Sequence, residues 1–214
     1  MKITFVRHAE IAGDPFVCPQ RPVKGCLSPK GVKQAKTAAK ELKDVKFDVA
    51  FSSPYGRALQ TAEIVLAGRR TPIKILPFMV EWLPDRSLEK LPRTEFESIQ
   101  KRTSAFYAEE TWKTEMGEGC FDMYARICPP FLKALDRIGV HPRMGGYVID
   151  KDAKDLSVAV FAHGGSLNIM LSFLLELRPF PIGRFAFEHT GVATIRFQEC
   201  KGISYPVLCL HAPR

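Results

Sequence analysis

Four basic side chains stand where apolar segments of this sequence end. Arg7 and His8 close the first such segment, Arg57 comes shortly after the second, and His163 directly follows the third. A guanidinium can bind two phosphate oxygens at once, and a neutral imidazole can attack phosphorus without bringing a negative charge of its own. A single histidine is more often a structural residue, so the chemistry depends on all four side chains meeting. If they meet, they predict a site that binds a phosphate group and transfers it to His8.

The segments that carry these residues have the patterns of strands, and helices alternate with them. Strands are predicted over 2–8, 48–53, 73–79 and 157–162, and helices over 28–43, 54–67, 121–138 and 167–177. This alternation favours an α/β fold of three layers (α/β/α), in which helices cover both faces of a mostly parallel central sheet. Neighbouring parallel strands end at one edge of the sheet, where open α/β sheets bind their ligands. Helix N-termini at the same edge favour an anion such as phosphate.

The remaining segments are less regular. Pro129-Pro130 is expected to interrupt or restart the helix 121–138, and the stretch around Gly145-Gly146 reads as a loop. The segments 191–197 and 205–210 alternate like strands and are expected to complete an edge of the sheet, in antiparallel orientation.

A polar, partly helical stretch covers about 82–119, directly after the strand 73–79. Its position predicts a cap or lid over the carboxyl-end site, inserted into a single domain that spans 1–214. The alternative is a solvated helical insertion that makes no contact with substrate.

Four groups of residues, in this order along the chain, resemble the histidine phosphatase superfamily, which also contains the phosphoglycerate mutases. The resemblance implies a phosphoglycerate mutase-like fold, with His8 as the nucleophile that becomes a phosphohistidine. It implies that the phosphate group is bound by Arg7, Arg57, His163 and Gly164, and that the enzyme needs neither a metal ion nor another cofactor. The matching groups are Arg7-His8-Ala9-Glu10; Leu27-Ser28-Pro29-Lys30-Gly31 with Gln34-Ala35; Ser52-Ser53-Pro54 with Arg57-Ala58 and Thr61-Ala62; and His163-Gly164-Gly165-Ser166.

The reaction also needs an acid for the leaving oxygen and then a base for the attacking water, and one carboxyl group can serve both purposes in turn. Glu81 is the candidate, because it follows the strand 73–79 and members of the family carry their proton donor at a comparable place. Asp85 and Glu10 are the alternatives, in that order. His189 precedes a predicted strand and either neighbours the pocket or is structural.

Hydrolysis is favoured over phosphoryl transfer between hydroxyl groups. Mutases of the family generally have Asn after the His-Gly pair, where this chain has Gly165, and they tend to be longer. The sequence therefore predicts a metal-independent phosphomonoesterase of the histidine acid phosphatase type, acting on a small phosphorylated metabolite. A phosphoglycerate mutase-type transferase is the alternative, and a non-catalytic module that binds phosphate or a phosphoprotein is less favoured. Family members often have Thr or Ser where Ile11 stands and Asn where Asp14 stands, which concerns substrate and rate.

Composition excludes several other classes. The net charge is +8, with many lysines between Arg21 and Lys46, but no aromatic residues lie among them to stack on bases, so a nucleic-acid partner is not predicted. Six cysteines without zinc-finger spacing read as free thiols. No apolar stretch is long enough to span a bilayer and no signal peptide is apparent, so a cytoplasmic protein is expected. The sequence makes no prediction of an oligomeric state.

Overall fold

The computed structural model describes residues 1–13, 27–88, 91–104, 112, 116–178 and 184–209 of the chain. Strands and helices alternate through most of these ranges. The strands are β1 (Lys2–Arg7), β2 (Val49–Ser52), β3 (Ile73–Ile75), β4 (Val140–Arg143), β5 (Gly146–Ile149), β6 (Ser157–Ala162), β7 (Val192–Cys200) and β8 (Ile203–Cys209). The α-helices are α1 (Pro29–Glu41), α2 (Gly56–Val65), α3 (Arg93–Ser104), α4 (Cys120–Asp136) and α5 (Gly164–Leu174). Short 3₁₀ helices lie at Pro77–Met79, Arg86–Leu88 and Lys151–Ala153.

The strands form one sheet in the order β3-β2-β6-β1-β7-β8-β5-β4. β3, β2, β6 and β1 are parallel, whereas every pairing from β1 through β7 and β8 to β5 and β4 is antiparallel. The sheet is therefore mixed, and the prediction of a mostly parallel sheet is wrong. For the β4–β5 and β7–β8 pairs the physical reason is the short connection, because parallel neighbours need a crossover of about a dozen residues or more. Met144-Gly145 joins β4 to β5 and Lys201-Gly202 joins β7 to β8, with positive φ at all four residues, as tight hairpin turns require.

The hairpin of β4 and β5 occupies the stretch that was expected to be a loop. It pairs with β8 through Tyr147 and Ser204 and forms the edge of the sheet. β7 and β8 are antiparallel as expected, but they lie inside the sheet, where β7 pairs with β1. The predicted strand 73–79 is too long, because β3 ends at Ile75 and Pro77 begins a 3₁₀ helix. Residue 210, the predicted end of the last strand, lies outside the described residues.

Two helices differ from expectation at informative places. α4 continues through Pro129 and Pro130 instead of being interrupted. The prolines remove two backbone donors, but Ile127 and Phe131 on the same helix are wholly buried, and this burial offsets the loss. α5 begins at Gly164, directly after His163, and is thus three residues longer at its start than predicted.

The core lies on both faces of the parallel half of the sheet. Side chains alternate along β1: Ile3 and Phe5 pack with α4 and α5, whereas Val6 packs with α1 and α2. Because helices cover both faces, the central strands are apolar almost throughout, and polar groups can appear only where the strands end. The carboxyl ends of β1, β2 and β6 meet at one edge, which brings together the residues that follow them. No helix in the described ranges has the length and apolar character needed to cross a membrane.

Candidate active site

His8 is a buried, neutral imidazole one residue beyond β1. Its backbone N–H donates to the carbonyl oxygen of Ala162 at the end of β6, at 2.9 Å. Its ring Nδ1 lies 2.7 Å from the carbonyl oxygen of Ala9; a carbonyl can only accept, so Nδ1 carries the proton and Nε2 keeps its lone pair. Burial first, and then the charges of Arg57 and Arg7, lower the pKa of His8 to about 3. At neutral pH the ring is therefore unprotonated at Nε2, whose lone pair is available for nucleophilic attack.

Arg7 lies beside His8 and has a donor that the fold does not satisfy. Its Nη1 donates to the carbonyl oxygen of Phe187 at 2.5 Å, but its buried Nε has no hydrogen-bond partner among the described residues. A Cβ added at Gly164 would lie 3.8 Å from that Nε, so the guanidinium lies against the first residue of α5. A buried donor without a partner costs about 1–3 kcal/mol. A charged donor of this kind at a helix N-terminus points to an anionic ligand.

Arg57, in the first turn of α2, is joined to β2 through His163. The Arg57 Nε donates to His163 Nδ1 at 3.1 Å, and the proton of His163 is therefore on Nε2, which lies 2.8 Å from the hydroxyl oxygen of Ser53. His163 is fully buried, and burial together with the charge of Arg57 holds its pKa well below the ordinary value. Its ring centroid is 5.1 Å from that of His8. Both imidazoles are thus neutral, and the positive charge comes from the two arginines.

Glu81 binds the N-terminus of α5 from a distant part of the chain. Its Oε2 accepts the N–H of Gly165 at 3.0 Å, and its Oε1 accepts those of Ser166 at 3.2 Å and Trp82 at 2.9 Å. The helix has no side-chain cap of its own, so this carboxylate satisfies backbone donors that would otherwise lack partners. Glu81 does not accept the N–H of Gly164, which lies next to Arg7.

The structure gives the two alternative carboxylates other partners. Glu10 binds Ser28 at 2.9 Å and Lys30 at 2.7 Å, both at the start of α1. Asp85 accepts from the backbone and hydroxyl of Ser87, at 3.0 and 2.7 Å. Of the three carboxylates, Glu81 is therefore the one hydrogen-bonded to the helix that follows His163.

His189 lies next to His8, on a strained turn. The two ring centroids are 5.7 Å apart, and burial lowers the pKa of His189. Thr190 has a φ of 61°, which is unusual for a β-branched residue, and its N–H lies 3.4 Å from the carbonyl oxygen of His8. Gly191 closes the turn by donating to Glu188 at 2.8 Å. The sequence left open whether His189 is structural or neighbours the pocket, and the structure places its ring next to that of His8.

Several motif residues support the loop after His8. Thr61 accepts the N–H of Ala9 at 3.0 Å, and Gln34 accepts that of Glu10 at 2.9 Å. Sequence reasoning matched these side chains to the family without a role; the structure shows them holding the backbone next to His8.

Two charged residues near Glu81 were missed altogether. Arg126 on α4 donates to the carbonyl oxygen of Glu81 at 3.1 Å and forms an ion pair with Glu118. Nothing in their spacing marked them, because charged residues are frequent in both segments and read as solvent-exposed.

Asp14 lies outside the described residues. So do parts of the stretch 82–119, the predicted cap or lid: residues 89–90, 105–111 and 113–115. The described part of that stretch contains α3 and a small apolar cluster of Leu88, Phe96 and Met116. Within the part of the chain that the structure describes, no group of His, Cys, Asp and Glu side chains is arranged to hold a metal ion.

Comparisons with known proteins match almost the whole chain to one family. The family model described as histidine phosphatase superfamily (branch 1) matches residues 3–204. The adenosylcobalamin/alpha-ribazole phosphatase of Salmonella typhi is 27% identical over 95% of this chain and 93% of its own length. The 2,3-bisphosphoglycerate-dependent phosphoglycerate mutase of Methanococcus vannielii is 26% identical over 94% of this chain and 92% of its own.

Solved structures share the fold over almost the whole chain. A mycobacterial glucosyl-3-phosphoglycerate phosphatase has a TM-score of 0.74, with 20% identity and 98% of each chain covered. A putative alpha-ribazole-5'-P phosphatase of Escherichia coli has a TM-score of 0.71, with 19% identity and coverage of 97% of this chain and 96% of the other. At such identities the likeness shows the fold alone.

Proposed function

This chain belongs to the histidine phosphatase superfamily, and we propose that within it the chain is a phosphomonoester hydrolase that works through a phosphohistidine on His8. The observation that carries the proposal is the tautomer of His8. Nδ1–H donates to Ala9, so Nε2 holds its lone pair beside the two arginine charges. A neutral nucleophile next to cations is what attack on a phosphate dianion requires.

In the first step, Nε2 of His8 attacks phosphorus in line with the bond to the leaving oxygen. The N–P bond forms as the P–O bond breaks, and Glu81, in its protonated form, gives its proton to the departing alkoxide. Negative charge on the equatorial oxygens is bound by Arg7, Arg57 and the N–H of Gly164. His163 holds Arg57 in place, because its Nδ1 accepts the N–H of Arg57 Nε. The bond from Nδ1–H to Ala9 stabilises the positive charge that the ring gains.

In the second step, water attacks the phosphohistidine. Glu81, now ionised, takes a proton from the water as the N–P bond breaks, which releases inorganic phosphate and returns His8 to its neutral form. The two guanidinium groups supply the positive charge in both steps, so the proposal gives no role to a metal ion.

Gly165 supports hydrolysis over a mutase reaction. A Cβ at this position would lie 2.4 Å from Glu81 Oε1, so the space of a side chain at 165 is filled by the carboxylate. The Asn that mutases of the family generally carry there does not fit this arrangement. A mutase reaction remains the second candidate because of the 26% identical relative. The name of the Salmonella typhi phosphatase supports a small phosphorylated metabolite as the substrate class.

The test is a hydrolysis screen over phosphomonoesters, with inorganic phosphate as the readout. We expect phosphate release by the wild type and a loss on the order of 10⁴-fold or more in kcat for His8→Ala. His141→Ala is the matched control, because His141 binds Asp136 and Asp150 on α4 and after β5, away from the site. Unchanged turnover in His8→Ala contradicts the nucleophile. Exchange between 2- and 3-phosphoglycerate without phosphate release contradicts hydrolysis.

A further inference from the structure

Arg126 and Glu118 form an ion pair with two hydrogen bonds, next to the backbone of Glu81. Arg126 Nε is 2.5 Å from one carboxylate oxygen of Glu118, and Arg126 Nη2 is 2.8 Å from the other. Both side chains are largely buried, with 20% and 14% exposed. Two parallel bonds of this kind fix the guanidinium in both position and plane.

The remaining donors of Arg126 hold the backbone that carries Glu81. Nη1 donates to the carbonyl oxygens of Phe78 at 2.8 Å and Val80 at 3.3 Å, and Nη2 donates to that of Glu81 at 3.1 Å. One side chain on α4 therefore binds three carbonyl groups within four consecutive residues. This short segment is irregular after its 3₁₀ helix and makes no sheet hydrogen bonds of its own there.

Glu118 holds the segment that follows. Its Oε2 accepts the N–H of Leu83 at 3.0 Å, its N–H donates to the carbonyl oxygen of Leu83 at 3.0 Å, and its carbonyl oxygen accepts the Trp82 indole N–H at 2.6 Å. Next to it, Gly117 has a φ of 129°, and a Cβ there would lie 2.3 Å from the Leu83 carbonyl oxygen. The two ends of the insertion, which we call its base (82–84 and 116–118), are thus joined to each other.

We infer that Arg126, paired with Glu118, is a positioning residue that fixes Glu81 and the base of the insertion as a single unit. The inference rests on the proposed function, because it acts through Glu81 as proton donor. The hydrogen bonds to α5 orient the carboxylate of Glu81, and Arg126 fixes the backbone of the same residue. A misplacement of about 1 Å at such a group costs roughly 100-fold in rate. Lysine cannot replace the arginine here, since a single ammonium cannot form the fork and bind three carbonyls in the same geometry.

The first test compares Arg126→Lys with Arg69→Lys. Arg69 is a matched control because it is half-buried and also binds two backbone carbonyls, those of Val45 at 2.6 Å and Leu42 at 2.7 Å. For Arg126→Lys we expect kcat/KM, which reports the steps up to departure of the leaving group, to fall about 10- to 100-fold with alkyl phosphates, which need an acid, and by less than about threefold with 2,4-dinitrophenyl phosphate. Arg69→Lys should treat both substrates alike. Equal losses with both substrates for Arg126→Lys mean a merely structural role and overturn the inference.

The second test is a double variant with Glu81→Gln. If Arg126 acts through Glu81, Arg126→Lys lowers kcat no further once the carboxylate is gone; multiplied losses overturn the inference. Glu118→Gln replaces Arg126→Lys if the latter does not fold, with the same expectations. Failure of the proposed function looks different: there His8→Ala stays active, or Glu81→Gln alone affects all leaving groups equally.

Discussion

Gly165→Ala is expected to separate activity from stability. The new Cβ would lie 2.4 Å from Glu81 Oε1 and 3.3 Å from both Glu81 Cδ and Met123 Cε. Ordinary contact needs about 3.5 Å, so the carboxylate must move by about 1 Å or more. It is the end of a rotatable side chain, and it can move without disturbing the helix or the sheet.

The magnitude follows from the proposed role of the Glu81 carboxyl group as proton donor. General acid catalysis is worth roughly 10²- to 10⁴-fold, and a displacement of about 1 Å costs on the order of 10²-fold, so we expect kcat with alkyl phosphates to fall about 100-fold. The change in stability is smaller. The hydrogen bonds from Gly165 and Ser166 to Glu81 weaken, and each would cost about 1.5–3 kcal/mol if it were lost completely. Replacing glycine by alanine in the helix stabilises the protein by up to about 1 kcal/mol, which offsets part of this cost.

The assay compares poor and good leaving groups in the same variant, together with urea unfolding. 2,4-Dinitrophenyl phosphate serves as an internal control, because its leaving group departs without a proton. Its kcat/KM, which excludes hydrolysis of the phosphohistidine, should therefore stay within about threefold of wild type. If Gly165→Ala hydrolyses alkyl phosphates at the wild-type rate, the position of the Glu81 carboxylate does not matter and the reasoning is refuted.

Arg7→Lys should weaken the binding of vanadate, a phosphate analogue, about 10- to 100-fold in calorimetry, because lysine lacks the buried Nε donor that is proposed to bind the anion. Unchanged affinity contradicts that contact. Unfolding should become easier in acid: between pH 6.5 and 3 the unfolded chain binds a proton at residue 8 that the native state does not. The free energy of unfolding therefore falls as pH drops below 6.5, by up to about 1.4 kcal/mol per pH unit. In phosphate-free buffer, His8→Asn should remove this part of the pH dependence. Equal slopes of unfolding free energy against pH in wild type and variant contradict the burial of His8.

The parallel half of the fold was predictable because its signals are local. Each of β1, β2 and β6 is an apolar run that ends in polar residues, and helices long enough for crossovers separate the runs. The β4–β5 hairpin was missed for physical reasons. Its turn is Met144-Gly145 rather than Asn-Gly, and Pro142 lies within β4, which is tolerated at the sheet edge but weakens the strand pattern.

The site was predictable only as far as residue types allow. Arg7 ends β1, and His8 and His163 directly follow β1 and β6, so their position could be predicted without any tertiary contact. The tautomers of the two histidines could not, since that of His163 depends on Arg57 and Ser53, on other elements. The contact of Glu81 with α5 joins residues 84 and 85 positions apart, and no local pattern indicates such a pair.

The place of β1 in the sheet has a consequence for how the protein is made. Lys2 pairs with Ser157 on one side and Arg196 on the other, so β1 leaves the ribosome long before either of its neighbours, the nearer of which lies 155 residues further along the chain. Until then the side chains of Ile3 and Phe5, wholly buried in the final structure, are not yet packed against the neighbouring strands and α5. Pairing over such a separation is slow, because a long loop must close first. The nascent chain therefore carries His8, the proposed nucleophile, well before β6 and α5 emerge to complete the proposed phosphate site.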